Sequence, residues 1–469
     1  MTNIKKIKLH QALFLIKNSI LRLKSINAIK CKFLCSMKKL FLFDLLLLKA
    51  MRTLFGIVFL CPLLFNAQSV NLSTYGFNTN DNKKGFNEAI RNNDTIIVDK
   101  QSSNWFVSPL KLRNLQNKTI IFENDVVLQA KPGAYVNTSD ALLKFINCKN
   151  LKIIGNGSML LMNKSEYIDG EWRMGLSLMG CSNVEIKNLT ISSSGGDGIY
   201  IDGYKDTRFS ENILIDGVIS TNNKRQGISV ISAKNVWVKN SIFTKTKGTL
   251  PEAGLDIEPD SETDVIINVN FEHCSFTNNN HSGIVIGLDN LTDKSEPVSI
   301  NFKDCYLSMN HDVSNRYPAA EIIISSHPEF PVKGNVSFSD IVIDESNWRL
   351  LYSRKPSKGY HTSFKNISAI DICKQRDDLS VIYFEVPDYF KSSGPIGGFS
   401  FENMYVKYNS KSSFFTVRGS SLGTLNGIKN VTGDITIVNP NLTEFIEYIK
   451  YSSSKNKNFD VKYIIQKTD

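Results

Sequence analysis

The sequence predicts an all-β solenoid in which short parallel strands stack rung on rung. The first observation is a glycine-opened strand that returns four times. Its copies begin at Gly198, Gly227, Gly254 and Gly283, at gaps of 29, 27 and 29 residues. A period in this range marks units that bury their apolar faces only by stacking. The second is an Asn-rich corner phrase followed by alternating β-branched residues. It spans Asn147–Gly155, Gly180–Leu189, Ser210–Gly217 and Ala233–Asn240, as parallel strands with self-stacking polar corners require. The third is the rarity of proline within the coils, which strands also demand.

Ahead of the coils, residues 1–67 form a leader containing twelve Lys or Arg and one acid, Asp44. Met51-Arg52, an apolar run and Asn66-Ala67 follow the grammar of a secretory signal, with Met51 as an alternative start. The run is short for a membrane span. Export to the periplasm, cell surface or medium is the expectation, with no membrane partner once the signal is removed. The chain's net charge of +10 belongs to this leader, because the remainder holds 43 basic and 44 acidic residues. Nucleic acid is therefore not an expected partner. The five cysteines beyond the leader (Cys148, Cys181, Cys274, Cys305, Cys373) are odd in number and widely spaced. They form neither a disulfide framework nor a metal-ligand pattern, and read as small apolar residues inside a coil.

Residues 68–130 supply an N-terminal cap and first coils. Asn82–Ile90 has apolar residues on one helical face, and Thr95–Val98 and Thr119–Phe122 alternate as strands. A short helix closing the end of a solenoid covers its otherwise exposed apolar rung. Residues 131–445 form the main solenoid, with weaker rung copies near Phe302, Phe338, Phe364 and Phe401. Residues 446–469 read as a polar C-terminal cap or tail.

The opening Asn80–Ile90 segment and the Asn-Val-x-Ile-x-Asn/Gly rungs resemble the right-handed parallel β-helix of the pectate-lyase superfamily, polygalacturonase-like and polysaccharide lyase-like. The resemblance covers nearly all of residues 70–440. It implies a right-handed, single-stranded β-helix acting on carbohydrate, although hydrolases, lyases, epimerases and phage tailspikes share the fold.

Alternation along the strands turns Ile199, Ile201, Ile228, Val230, Leu255, Ile257, Ile284 and Ile286 inward. Tyr200, Ser229, Asp256 and Val285 then line one outer face. Two positions before each glycine stand Gly196, Arg225, Glu252 and His281. One position before stand Asp197, Gln226, Ala253 and Ser282. Asp256 and Glu258 share a strand face, about 7 Å apart along the backbone. That spacing suits an inverting glycosidase, in which one carboxyl keeps its proton as acid and the other activates water. Clustered carboxylates equally suit a hard cation, so Asp256, Glu258 and Asp260 are the ligands if calcium binds. No cofactor is otherwise required.

Ser193–Ile201 resembles the Asn-Thr-Asp-Gly segment of polygalacturonases, with Asp197 at the place of a catalytic aspartate. The match stops there, because the next rung offers Arg225-Gln226 instead of an aspartate pair. Asp197 read as a turn residue is the alternative. In the related lyases and epimerases a Lys, Arg, His or Tyr takes the proton beside a uronate carboxylate. Arg225, His281 and Tyr200 are the residues of this chain suited to that work. Arg225 paired with Glu252 in its own column is the structural alternative. Lys224, Gln226, Glu252 and Tyr200 complete the substrate-facing set, with Trp172 and Arg173 placed to stack on a sugar.

The sequence thus predicts a monomeric, exported enzyme that cleaves a polysaccharide or oligosaccharide. The favoured chemistry is hydrolysis, with catalytic residues Asp256, Glu258, Asp197, Arg225 and His281. A calcium-assisted lyase or uronate epimerase is the first alternative. A non-catalytic glycan-binding solenoid is the second.

Overall fold

The computed structural model describes residues 69–312, 319–387, 394–420 and 425–467. The leader lies outside the described residues, and so does the expectation of a signal peptide. No helix among the described residues is long and apolar enough to cross a membrane.

Twelve strands form one parallel sheet that carries the glycine-opened repeats. In chain order they are β1 (Leu110–Arg113), β2 (Ala141–Ile146), β3 (Met174–Met179), β4 (Ile199–Asp202), β5 (Gln226–Val230) and β6 (Ala253–Ile257). The rest are β7 (Ser282–Leu288), β8 (Ala320–Ser326), β9 (Arg349–Ser353), β10 (Ile382–Glu385), β11 (Phe415–Arg418) and β12 (Ile446–Ile449). The other strands of each coil join a 22-stranded parallel assembly. The predicted register holds residue for residue: Tyr200 pairs with Ser229, Ser229 with Asp256, and Asp256 with Val285. The repeat glycines permit close packing within the coil. A Cβ on Gly254 would meet Asn279 Nδ2 at 2.8 Å, and one on Gly283 would meet Asn310 Nδ2 at 2.9 Å.

The corner asparagines stack as expected. Asn150, Asn183, Asn212, Asn235 and Asn268 all adopt positive φ between 54° and 57°. Each donates its side-chain amide to the asparagine of the preceding coil, from Asn150 to Asn117 (2.7 Å) through Asn268 to Asn235 (3.0 Å). Asparagine tolerates this backbone region better than other non-glycine residues. Inside the coil the rings of Phe271, Phe302, Phe338, Phe364 and Phe401 stack at 4.6–5.4 Å. All five cysteines beyond the leader are buried and free.

The cap helix α1 (Lys83–Asn92) buries Phe86, Ala89 and Ile90. At the other end the coils continue past residue 445. β12 pairs with β11, and a strand at Lys457–Gln466 pairs with Ile428–Val438. The stretch 446–469 carries paired strands up to Gln466. One expectation fails: the repeat face is not uniformly outward in the sense of exposed. Ser229 is 0 % and Asp256 1 % exposed, because side chains and loops from neighbouring turns cover the centre of the face.

Candidate active site

Arg225, at the turn into β5, organises the covered region. Its guanidinium stands 3.1 Å from Glu258 Oε2, 3.7 Å from Asp197 Oδ2, and 3.9 Å from both Asp256 Oδ2 and Glu171 Oε2. One cation thus faces four acids drawn from the two rungs that flank its own and from the loop before β3. That loop lies directly on the turn, since a Cβ on Gly196 would meet Glu171 O at 2.4 Å.

The acids differ in environment, and the difference separates their chemistry. Asp197 is fully buried, and neither carboxyl oxygen has a hydrogen-bond partner. Burial pushes it up to about 7, against the pull of Arg225. Asp256 is held at Oδ2 by Gln226 Nε2 (2.8 Å), while its Oδ1 is buried without a partner. Burial and then the charge of Glu258 push Asp256 well above the usual carboxylate range. Glu258 lies just past the end of β6 with its side chain 47 % exposed. Burial opposes the charge on Arg225, but the surrounding carboxylates outweigh it and hold the guanidinium above its usual range. The arrangement therefore places carboxyls whose proton affinity burial raises beside an exposed acid, as general acid–base chemistry requires.

The structure brings together Asp197, Arg225, Gln226, Asp256 and Glu258. The remaining expected residues have other company. Tyr200 donates its hydroxyl to Asp202 Oδ2 (3.1 Å), and burial raises both groups, Asp202 to about 6. Lys224 donates to the carbonyls of Tyr167 (2.7 Å) and Gly170 (3.1 Å), which ties down the covering loop. Glu252 accepts from the Gly248 amide (2.6 Å) and from Asn280, and in place of the expected Arg225–Glu252 pair Arg225 meets Asp256 and Glu258 further along that same rung. Glu252 has positive φ (49°), and this conformation aims its carboxyl toward its own turn. His281 sits one rung further on, near Ser282 Oγ (3.1 Å) and the His311 ring (6.1 Å). Trp172 is 49 % exposed and free to meet a ligand. Arg173 is buried and donates to Tyr135 O (2.8 Å) and Asp169, so it braces the loop and does not stack on a sugar.

Glu171 is the member of the cluster that the repeat alignment missed, because it lies outside the repeat. Its position beside Trp172 and Arg173 was the one available signal. Among the described residues no group of three His, Cys, Asp or Glu side chains is arranged to hold a metal ion. Of the residues considered from sequence as calcium ligands, Asp256 and Glu258 face Arg225, and Asp260 is exposed. Beyond Asp202 and Asp260 opens a cleft of about 330 Å³, also bordered by Tyr204, Lys205, Arg208 and Asp264.

The sequence model of the family described as "right handed beta helix region" matches residues 95–264 and 132–336, together more than half the chain. The chain belongs to the right-handed β-helix family. Over 188 residues it is 29 % identical to the uncharacterized protein YclG of Bacillus subtilis strain 168, matching 36 % of this chain and 32 % of that protein. The match thus spans about a third of the curated relative. Among solved structures, the catalytic unit of a thermostable GH87 α-1,3-glucanase from Streptomyces thermodiastaticus superposes with a TM-score of 0.55 at 14 % identity. That superposition covers 84 % of this chain and 68 % of the other. The A-module of the Azotobacter vinelandii mannuronan C-5 epimerase AlgE6 superposes with a TM-score of 0.54 at 12 % identity, covering 85 % of this chain and all of the other. At these identities the likeness is one of fold.

Proposed function

We propose that the chain is an exported polysaccharide hydrolase whose reaction centre is the acid cluster around Arg225. The observation that carries this reading is the contrast between Asp256, buried and pushed above the usual carboxylate range, and Glu258, exposed beside the same guanidinium nitrogen. Asp256 donates its proton to the leaving glycosidic oxygen, and Glu258 takes one from the attacking water. Asp197, pushed up to about 7 by burial, stands in reserve on the far side of Arg225. Substrate reaches Asp256 when the Arg225 side chain moves off it, and Trp172 at the rim meets the sugar ring. The α-1,3-glucanase and the mannuronan epimerase named above are polysaccharide-acting by name, which supports the substrate class without choosing the reaction.

The lyase alternative is less well served. Arg225 is engaged by four acids and Lys224 by two carbonyls. Tyr200, whose phenol is raised by burial and by Asp202, is a poor proton acceptor.

The test incubates the full chain with neutral and acidic polysaccharides and follows reducing ends alongside the ultraviolet absorbance of an unsaturated product. Hydrolysis produces reducing ends alone. Asp256→Asn and Glu258→Gln should each lower the rate by about 10²–10⁴-fold, the usual worth of a positioned acid or base. Absorbance rising with the reducing ends would replace this reading with the lyase. Glycan binding without either signal would leave a binding solenoid.

A further inference from the structure

The column that carries Asp256 runs on well past Arg225. Strand pairing takes it from Asp256 through Val285 and Ile323 to Tyr352, Tyr383, Thr416 and Glu447. Tyr352 stands three rungs from Asp256, roughly 14 Å at the spacing of neighbouring strands. There β9 to β12 border a second cleft, of about 490 Å³. On its floor the rings of Tyr352 and Tyr383 stack at 6.0 Å and 15°. The Arg349 guanidinium lies over the Tyr383 ring at 4.3 Å.

Arg349 is a largely desolvated cation without a carboxylate of its own. Its Nη1 donates to Ser380 O (3.2 Å) and Ser380 Oγ (3.0 Å). Burial lowers its proton affinity, while Glu385 and Asp378 favour its charge only through space. Both acids are engaged elsewhere. Glu385 accepts the Tyr352 hydroxyl, and Asp378 holds Arg376 through two bonds of 2.7 and 2.6 Å. A guanidinium offers paired N–H donors to a planar anion, and aromatic faces take the apolar face of a sugar.

We propose that this cleft is a second glycan-binding site, which takes a carboxylate-bearing sugar on Arg349 with its ring against Tyr352 and Tyr383. Arg376, Arg418, Asp378, Glu385 and Glu447 also border it, and it differs from the Arg225 cluster in that Arg349 forms no ion pair with any of these acids. Its existence does not depend on cleavage at Asp256. Between the two regions Val285 and Ile323 form a half-buried apolar strip along the same column.

Calorimetric titration of the full chain with tetragalacturonate, tetramannuronate and a neutral tetrasaccharide tests the proposal. At least one uronate tetramer should bind, and any binding of the neutral one should be unaffected by changes in this cleft. Arg349→Gln and Tyr383→Leu should each weaken uronate binding about tenfold or more, as expected for losing a charge-assisted bidentate contact or a stacking face. Arg349→Lys should fall between, and Asp256→Asn should bind like the wild type. Tyr352→Ala replaces any of these variants that fails to keep the wild-type thermal midpoint. No uronate binding, a neutral sugar whose binding falls equally in the cleft variants, undiminished uronate binding in those variants, or its loss in Asp256→Asn would each overturn the proposal. Because Asp256→Asn separates binding from cleavage, failure here leaves the hydrolase reading standing, and the reverse also holds.

Discussion

The Arg225 cluster and the Arg349 cleft use the same two positions of the repeat for opposite chemistry. Arg349 precedes Tyr352 by three residues, as Asp197 precedes Tyr200 and Ala253 precedes Asp256. In the first region the fold buries carboxyls around one shared cation. In the second it holds Arg349 over an aromatic ring with no ion-paired acid, although Asp378, Glu385 and Glu447 border the same cleft. Lys355, two residues past β9, is the extreme case. It is fully buried, and its Nζ donates to the carbonyls of Tyr360 (2.9 Å), Gly397 (2.6 Å) and Gly398 (3.2 Å). A solenoid permits such contrast because each rung contacts only its neighbours, so the charge of one stretch does not constrain another three rungs away.

The contrast can be broken most forcefully at the two arginines. Arg225→Met strands buried carboxyls and should cost about 3–5 kcal/mol in urea unfolding at pH 7. The loss should shrink near pH 5, where Asp197, pushed up to about 7, holds its proton. Arg349→Met leaves no paired acid behind and should change stability by less than about 1 kcal/mol, since a buried ionic group replaced by an apolar one is often neutral. Equal losses at the two positions would erase the distinction.

A second, smaller effect is a pair of opposed pH slopes. Asp197 titrates near 7 in the folded chain, against about 3.9 when unfolded. Between those values the folded state holds the extra proton, so raising pH through the window lowers stability. Asp197→Asn should flatten that decline, read as unfolding midpoints at pH 4.5 and 7. Burial lowers Lys355 to about 7, against about 10.4 unfolded. From pH 7 to 10 the unfolded state binds more protons, so stability contributed by this site rises with pH. Lys355→Met should remove that rise, the smallest of the three effects because other groups titrate in the same range.

Much of the first region was legible because repetition fixes register. Once Gly198, Gly227, Gly254 and Gly283 are aligned, Tyr200, Ser229 and Asp256 must fall in one column. Three things escaped that logic. A column position does not specify exposure, which here depends on the 164–173 loop and on Arg225 itself. A long guanidinium is not confined to its own column, so Arg225 reaches Asp256 and Glu258 and passes over Glu252. Residues off the repeat, Glu171 among them, carry no periodic mark. The second cleft was invisible for a related reason. The position that opens β5 to β7 with glycine holds Glu321 and Leu350 on the later rungs, so the phrase that announces the face is gone although the strands persist.

The buried cysteines give this coil a built-in gauge of its own fraying. Cys148 and Cys181 lie in the early turns, Cys274 and Cys305 in the middle and Cys373 near the second cleft, all as free thiols shut inside the wall. A thiol reagent reaches each only when its local turns part. The order in which the five are modified under mild denaturant is therefore a direct record of where the spring begins to uncoil.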